Sequence, residues 1–260
     1  MKWLLKNNFP HSQLAFENAA LNGNLKNMKW MEKNGFRYDS SIFANAALNG
    51  NLKNMKWLLM KRYWIDSCAF DSAAKNDNLE NMKWLLENKC GYYHSTFSEA
   101  AKNGNIETMK WLLEKRFPYD ERTFECAAEN GNLENIKWLF KNGFPYDKLT
   151  FAHATIAGKI ENMEWLLENK FPYDESTFAY AAGEGKLEVM KWLLDKKFPC
   201  DEKTFAFAAS NGNLENMKWL LENKFPYSEY TIQCAINNIL TEYDKWSWER
   251  RQKRIYKICR

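Results

Sequence analysis

The sequence predicts an all-α fold, an α-solenoid of stacked 27-residue helix-turn-helix units. Three observations predict it. Trp recurs at 3, 30, 57, 84, 111, 138, 165, 192, 219 and 246, always 27 residues apart. Phe recurs at 16, 43, 70, 97, 124, 151, 178 and 205, followed in nearly every copy by an Ala pair. Gly recurs at 23, 50, 104, 131, 158, 185 and 212, with Asp77 in the remaining slot. A fixed period of about 20–50 residues marks a chain in which each unit packs on the next.

Residues 119–145, YDERTFECAAENGNLENIKWLFKNGFP, show one unit in order. Asp120 stands where a carboxylate can cap the first turn of a helix. Phe124, Ala127 and Ala128 follow at i, i+3 and i+4, one apolar stripe of a short helix. Gly131 suits a left-handed helix end. Asp77, in the same slot, belongs to the few residue types that tolerate that backbone. Asn132 caps a second helix, with Glu134 favourably placed in its first turn. Leu133, Ile136, Trp138, Leu139 and Phe140 give that helix a wide apolar face. Asn142-Gly143 ends it and Pro145 prevents its continuation. Asp39, Asp66, Asp147, Asp174 and Asp201 repeat the Asp120 position, so these carboxylates read as caps rather than as catalytic pairs.

One such hairpin cannot bury both of its apolar faces; neighbours must do it. A Trp taken from water removes roughly 150–250 Å², worth up to about 4–6 kcal/mol before ordering costs. The Trp column is therefore expected in the core, not as a stacking platform for bases or sugars.

The ends differ from the middle. Residues 1–10 read as a half repeat holding only a second helix. Residues 11–229 hold eight units. Residues 230–260 read as a divergent cap, in which Trp248, Ile255 and Cys259 form one stripe of a last helix. Terminal units need such caps because one side of them is unstacked. The final eleven residues, RRQKRIYKICR, carry six Lys or Arg and no acid, against a net charge of +4 for the chain, so the remainder stands at −2. That tail could meet nucleic acid or serve as a nuclear-import address. The preferred reading is the solvated face of the cap, since the body shows no basic stripe in sequence.

The longest apolar runs are a few residues, far below the roughly 18 of a spanning helix. The start, MKWLLKNNFP, is too short in apolar residues for a secretory signal. The six cysteines show no metal-ligand spacing and sit where other units carry other residues, as at Cys90 and Cys200. An intracellular, cytoplasmic location and a reducing compartment are expected. Phosphate-binding, zinc-protease and calcium-loop motifs are absent. His11, His94 and His153 fall in different units, so no catalytic group, metal or cofactor is expected. An acid or a metal beside His153 would argue for catalysis.

The run A-A-x-N-G-N-L-E-N-M-K-W-L-L-E resembles the ankyrin repeat over almost the whole chain. The units are shorter than ankyrin's, and what is missing lies where ankyrins place a β-hairpin finger, so the fingers are expected to be lost or shortened. T-F, as at Thr96-Phe97, replaces the ankyrin T-P-L-H start. The short, Trp-rich form is similar to repeats of large DNA viruses of amoebae and of some protists. The resemblance implies a non-enzymatic scaffold that grips a partner protein, in a viral case a host protein, along its concave face. The short apolar runs predict no membrane partner, the missing motifs no small-molecule substrate, and the charge of the body disfavours nucleic acid. The alternative is a structural or self-associating assembly component.

With fingers lost, the first helices must carry recognition. The residue after the Ala pair faces partners in ankyrins; here it includes Lys75, Lys102, Glu129 and Ile156. The residue before the pair runs Asn18, Asn45, Ser72, Glu99, Cys126, His153, Tyr180 and Phe207. Its later members are apolar or ring-bearing. Either His153, Tyr180 and Phe207 form a stepped binding patch, or they fill space between half-buried helices.

Overall fold

The computed structural model describes residues 13–36 and 41–236. The half repeat at 1–10, the cap position Asp39 and the basic tail lie outside the described residues. Sixteen α-helices have both ends among those described, a further helical segment runs over 229–236, and no strand occurs among them. The first helices of the units are α1 (Gln13–Leu21), α3 (Ser41–Asn49), α5 (Cys68–Lys75), α7 (Ser95–Asn103), α9 (Glu121–Asn130), α11 (Lys148–Ala157), α13 (Glu175–Gly183) and α15 (Glu202–Ser210). The second helices are α2 (Leu25–Lys33), α4 (Leu52–Met60), α6 (Leu79–Glu87), α8 (Ile106–Glu114), α10 (Leu133–Lys141), α12 (Ile160–Glu168), α14 (Leu187–Asp195) and α16 (Leu214–Glu222). Every second helix begins 27 residues after the last, so the period read from Trp is the period of the fold.

Caps set these boundaries. Asp120, Asp147, Asp174 and Asp201 each accept from the amide two residues on, at 2.9–3.1 Å. Asp66 accepts from the Ala69 amide at 3.1 Å. Asn132 accepts from the Glu134 amide at 3.1 Å. These bonds satisfy donors that the first turn of a helix leaves free.

The chain forms two compact units, residues 1–127 with 137–144, and residues 128–136 with 145–260. In the first, α1 packs on α3, α3 on α5 and α5 on α7. In the second, α11 packs on α13 and α13 on α15. Each interface is filled by the Phe and Ala columns: Phe43, Phe70, Phe97, Phe151 and Phe178 are fully buried, as are Ala73, Ala100, Ala154 and Ala181. The small Ala side chains let neighbouring first helices approach closely.

The Trp column is not the core that the sequence predicts. Trp57 and Trp111 are buried, but Trp30, Trp84, Trp138, Trp165, Trp192 and Trp219 are half-buried. Fully buried places on the second helices go to Met55, Met82, Met109, Ile136 and Met163, with the Leu after each Trp, such as Leu58, Leu112 and Leu193. Phe140 is exposed as well. Seven of these Trp instead cover the aromatic residue six positions on, while Trp84, with Cys90 in that place, stacks on Phe43 at 6.4 Å. Trp111 meets Phe117 at 5.7 Å, Trp192 meets Phe198 at 5.7 Å and Trp57 meets Tyr63 at 6.1 Å. The physical reason is geometric: a residue at the edge of a helix's apolar arc buries one ring face and leaves the other in water.

The segment that joins one unit to the next is a short aromatic loop. Tyr119 packs on Phe144 at 4.2 Å with the rings tilted by 32°, and meets Phe97 edge-on at 5.6 Å. Tyr173 does the same with Phe198 and Phe151. Such ring pairs favour offset or edge geometry. They occupy the place of a finger, which is absent among the described residues.

Polar groups tie neighbouring units at the turn between the paired helices. Asn78 donates through Nδ2 to the Gly50 carbonyl at 3.1 Å, and Asn162 and Lys159 donate to the Gly131 carbonyl at 2.8 Å each. Asp77, at φ +52, has the left-handed backbone that its slot implies. Its carboxylate accepts from Asn105 Nδ2 at 2.7 Å and from Thr108 Oγ1 at 2.8 Å.

Candidate functional site

The first helices of the second unit stack in register, so equal positions in successive units become neighbours. The position before the Ala pair therefore makes a row. His153 on α11 lies 5.4 Å from the Tyr180 ring on α13. Tyr180 in turn stacks on Phe207 of α15 at 6.1 Å, with 28° between planes. His153 and Tyr180 are half-buried; Phe207 is 43% exposed, high for so large an apolar ring.

A cleft of about 410 Å³ opens beside this row. Ile156, Tyr180, Gly183 and Phe207 give it an apolar wall; Glu184, Ser210 and Asn211 give it a polar rim. Gly183 has a particular role there. It is the last residue of α13, where Gly costs less than the about 1 kcal/mol of a helix interior. A Cβ at that point would come within 3.2 Å of Phe207 Cδ1. The missing side chain lets the Phe207 ring lie against the helix backbone.

A second cleft of about 280 Å³ shares Tyr180 and Phe207 and is lined further by Lys148, Asp174, Asp201 and Lys203. Lys148 Nζ lies 2.6 Å from Asp174 Oδ2. Burial works to raise the pKa of Asp174. It is outweighed by hydrogen bonds from Lys148 and from the hydroxyl and amide of Ser176, with the Lys148 charge, which hold the carboxyl below its ordinary value. The same hydrogen bond and charge raise Lys148. The stacked pair thus stands between an apolar cleft and a charged one.

Of the residues named from sequence, the structure gathers Ile156, Tyr180 and Phe207 at one cleft, with His153 next in the row. Glu129 is half-buried and places Oε2 3.6 Å from His153 Nδ1. That acid is the feature named above as an argument for catalysis. The separation is longer than a hydrogen bond. Lys75 and Lys102 are exposed and belong to the first unit. Among the described residues, no group of three or more His, Cys, Asp or Glu could hold a metal ion.

Sequence reasoning missed three contributors. Gly183 fills the same slot after the Ala pair as Ile156, where a missing side chain carries no signal in sequence. Glu184 and Asn211 were not singled out, and their signal was weak because turn residues that follow the first helix vary for many reasons. It also found no basic stripe in the body. The structure shows one on α2 and α4, where Lys26, Lys29, Lys33, Lys53 and Lys56 are exposed.

Comparison with family models agrees with a repeat architecture. Two family descriptions match the chain: "Ankyrin repeats (3 copies)" over residues 70–150 and "Ankyrin repeats (many copies)" over residues 178–221. No curated protein matches the sequence. Among solved structures, the chain is similar to the crystal structure of the pentatricopeptide repeat protein PPR10 in complex with an 18-nt psaJ RNA element, at 10% identity and a TM-score of 0.45. That match covers 89% of this chain and 42% of the other. A cysteine-substituted form of the same protein with that RNA element gives the same values. The matched stretches, residues 70–150 and 178–221, are similar to ankyrin repeats and together span a little under half of the chain.

Proposed function

We propose that this chain is a binding scaffold that holds a segment of a partner protein in the cleft beside Tyr180 and Phe207. The observation that carries this reading is the Tyr180–Phe207 stack against bare Gly183, with Phe207 43% exposed at the mouth of the cleft. An aromatic pair of this kind offers a large apolar contact at little conformational cost. It acts by binding rather than by chemistry. The free thiols of Cys68, Cys90, Cys200 and Cys234 support an intracellular, cytoplasmic place of action. By the resemblance to viral short repeats, the partner is a host protein.

The test is capture from a host-cell lysate, comparing wild type with the triple variant His153→Ala/Tyr180→Ala/Phe207→Ala, each checked for helix content. A protein held by wild type and lost by a folded triple variant supports the cleft. Equal capture by both moves the site elsewhere.

One observation favours a second reading, catalysis: the placement of Glu129 3.6 Å from His153 Nδ1. It predicts a captured partner that is chemically altered by wild type and unaltered, though still bound, by His153→Ala. Mass spectrometry of the captured partner separates the two.

A further inference from the structure

We propose that the outer face of the first two described units docks on an anionic lipid bilayer. The sequence distributes charge unevenly along the second helices. The first-turn position that holds Glu80, Glu107, Glu134, Glu161, Glu188 and Glu215 in later units holds Lys26 and Lys53 in these two. Over the described residues 24–36 and 41–63 there are seven cations, Lys26, Lys29, Lys33, Lys53, Lys56, Lys61 and Arg62, and one acid, Glu32. The net charge of that stretch is 7 − 1 = +6, larger than that of the whole chain.

The fold gathers these cations. Lys26, Lys29 and Lys33 lie at i, i+3 and i+7 of α2, and Lys53, Lys56 and Met60 at the same positions of α4, so each set forms one stripe. All six are exposed. The ion pair of Glu32 with Lys61, at 2.9 Å, fastens the ends of the two helices side by side. It also uses up the single acid.

Two large apolar side chains stand out of this basic field. Met60 is 70% exposed and Trp64 is 78% exposed. Trp64 is not one of the periodic Trp residues. It occupies the slot that holds Pro118, Pro145, Pro172, Pro199 and Pro226 in later units, so the repeat itself has no need of a Trp there. Its direction is fixed. Arg62 turns the chain at φ +62, the Tyr63 amide donates to the Leu58 carbonyl at 3.1 Å, and the Tyr63 ring is buried. The next residue of an extended chain points the opposite way, to solvent.

Exposed cations around a protruding Trp and Met match the interface of a membrane that carries acidic headgroups. Lys and Arg meet phosphate and carboxylate groups, and Trp settles at headgroup depth. This is docking on a surface. Among the described residues, no helix is long and apolar enough to cross a membrane. It departs from the expectation of no membrane partner, which was drawn from spanning segments alone.

The test uses the full chain sedimented with phosphatidylcholine vesicles, with and without phosphatidylserine, at low and high salt. The comparison is with Lys26→Glu/Lys53→Glu/Met60→Glu/Trp64→Pro. Every substitution is the residue that a later unit carries at that position (Glu80, Glu87 and Pro118), so the repeat fold is preserved; Trp64→Pro alone is the second variant. The expected result is phosphatidylserine-dependent, salt-sensitive binding that falls more than about tenfold in the quadruple variant, with a smaller loss in Trp64→Pro. Absence of phosphatidylserine-dependent binding by wild type overturns the proposal. So does equal binding by the quadruple variant. Retention of a single-stranded RNA oligomer, without vesicle binding, by wild type and not by the variant overturns it in favour of nucleic acid.

Discussion

Phe207 lies against the bare α-carbon of Gly183: a methyl group there would sit 3.2 Å from Phe207 Cδ1 and 3.5 Å from its Cβ. Gly183→Ala therefore sets two effects against each other. Ala favours the helix by up to about 1 kcal/mol. The exposed Phe207 ring can swing aside, so most of that gain survives. The expected outcome is an unchanged or slightly raised melting temperature by circular dichroism, together with weaker partner capture because the cleft wall has moved. Unchanged capture would separate Gly183 from the site.

The end of the second helix predicts a gain. Arg62, Lys89, Arg116, Lys170, Lys197 and Lys224 have φ between +56 and +62, where other units place Gly35 and Gly143. A side chain in that region costs about 1–2 kcal/mol, and Gly returns part of the relief as chain entropy. Lys197→Gly is expected to stabilise by about 0.5–1 kcal/mol, read as a higher urea midpoint. Lys197→Val at the same exposed position is expected to lower it.

At Asp77 the backbone and the side chain pull in opposite directions. The carboxylate holds Asn105 and Thr108 of the next unit, while φ is +52. Asp77→Ala loses both bonds and keeps a Cβ at positive φ, a cost of about 2–3 kcal/mol. Asp77→Gly loses the bonds but relieves the backbone, so its cost is expected at about 1 kcal/mol. The order of the two melting temperatures checks the assignment.

Asp174 gives a pH dependence. Its folded pKa lies below the ordinary 3.8, so its contribution is full above that value and is lost as pH falls through the folded one. Its partner Lys148 is raised above 10.5, so that contribution is full below 10.5 and is lost as pH rises through the folded value. Asp174→Asn keeps a helix-capping oxygen but loses the charge. Thermal melts at successive pH values should show a shallower acid limb in the variant. An acid limb identical to wild type would place the acid sensitivity elsewhere.

Local chemistry was legible in the residues. Asp120, Asp147, Asp174 and Asp201 cap where they were expected, because a cap depends on a carboxylate and two following amides. Asp77 takes a left-handed backbone in the slot that Gly fills in other units. The Trp column was misjudged because a period shows that residues share an environment without showing how deep it is. The positive φ at six Lys or Arg residues was hidden as well, since neither type favours it.

By itself the sequence determined the unit: its length, its two helices, their caps and the small-residue face on which neighbours stack. These follow from interactions between residues a few positions apart. Only the tertiary structure decided which units' side chains meet. His153, Tyr180 and Phe207 become a row because stacking in register brings positions 27 residues apart into contact. Lys26 and Lys53 become one basic field for the same reason, and Trp64 joins them because a left-handed turn at Arg62 aims it outward. Depth and adjacency depend on how whole helices share space, and a linear pattern does not carry that information.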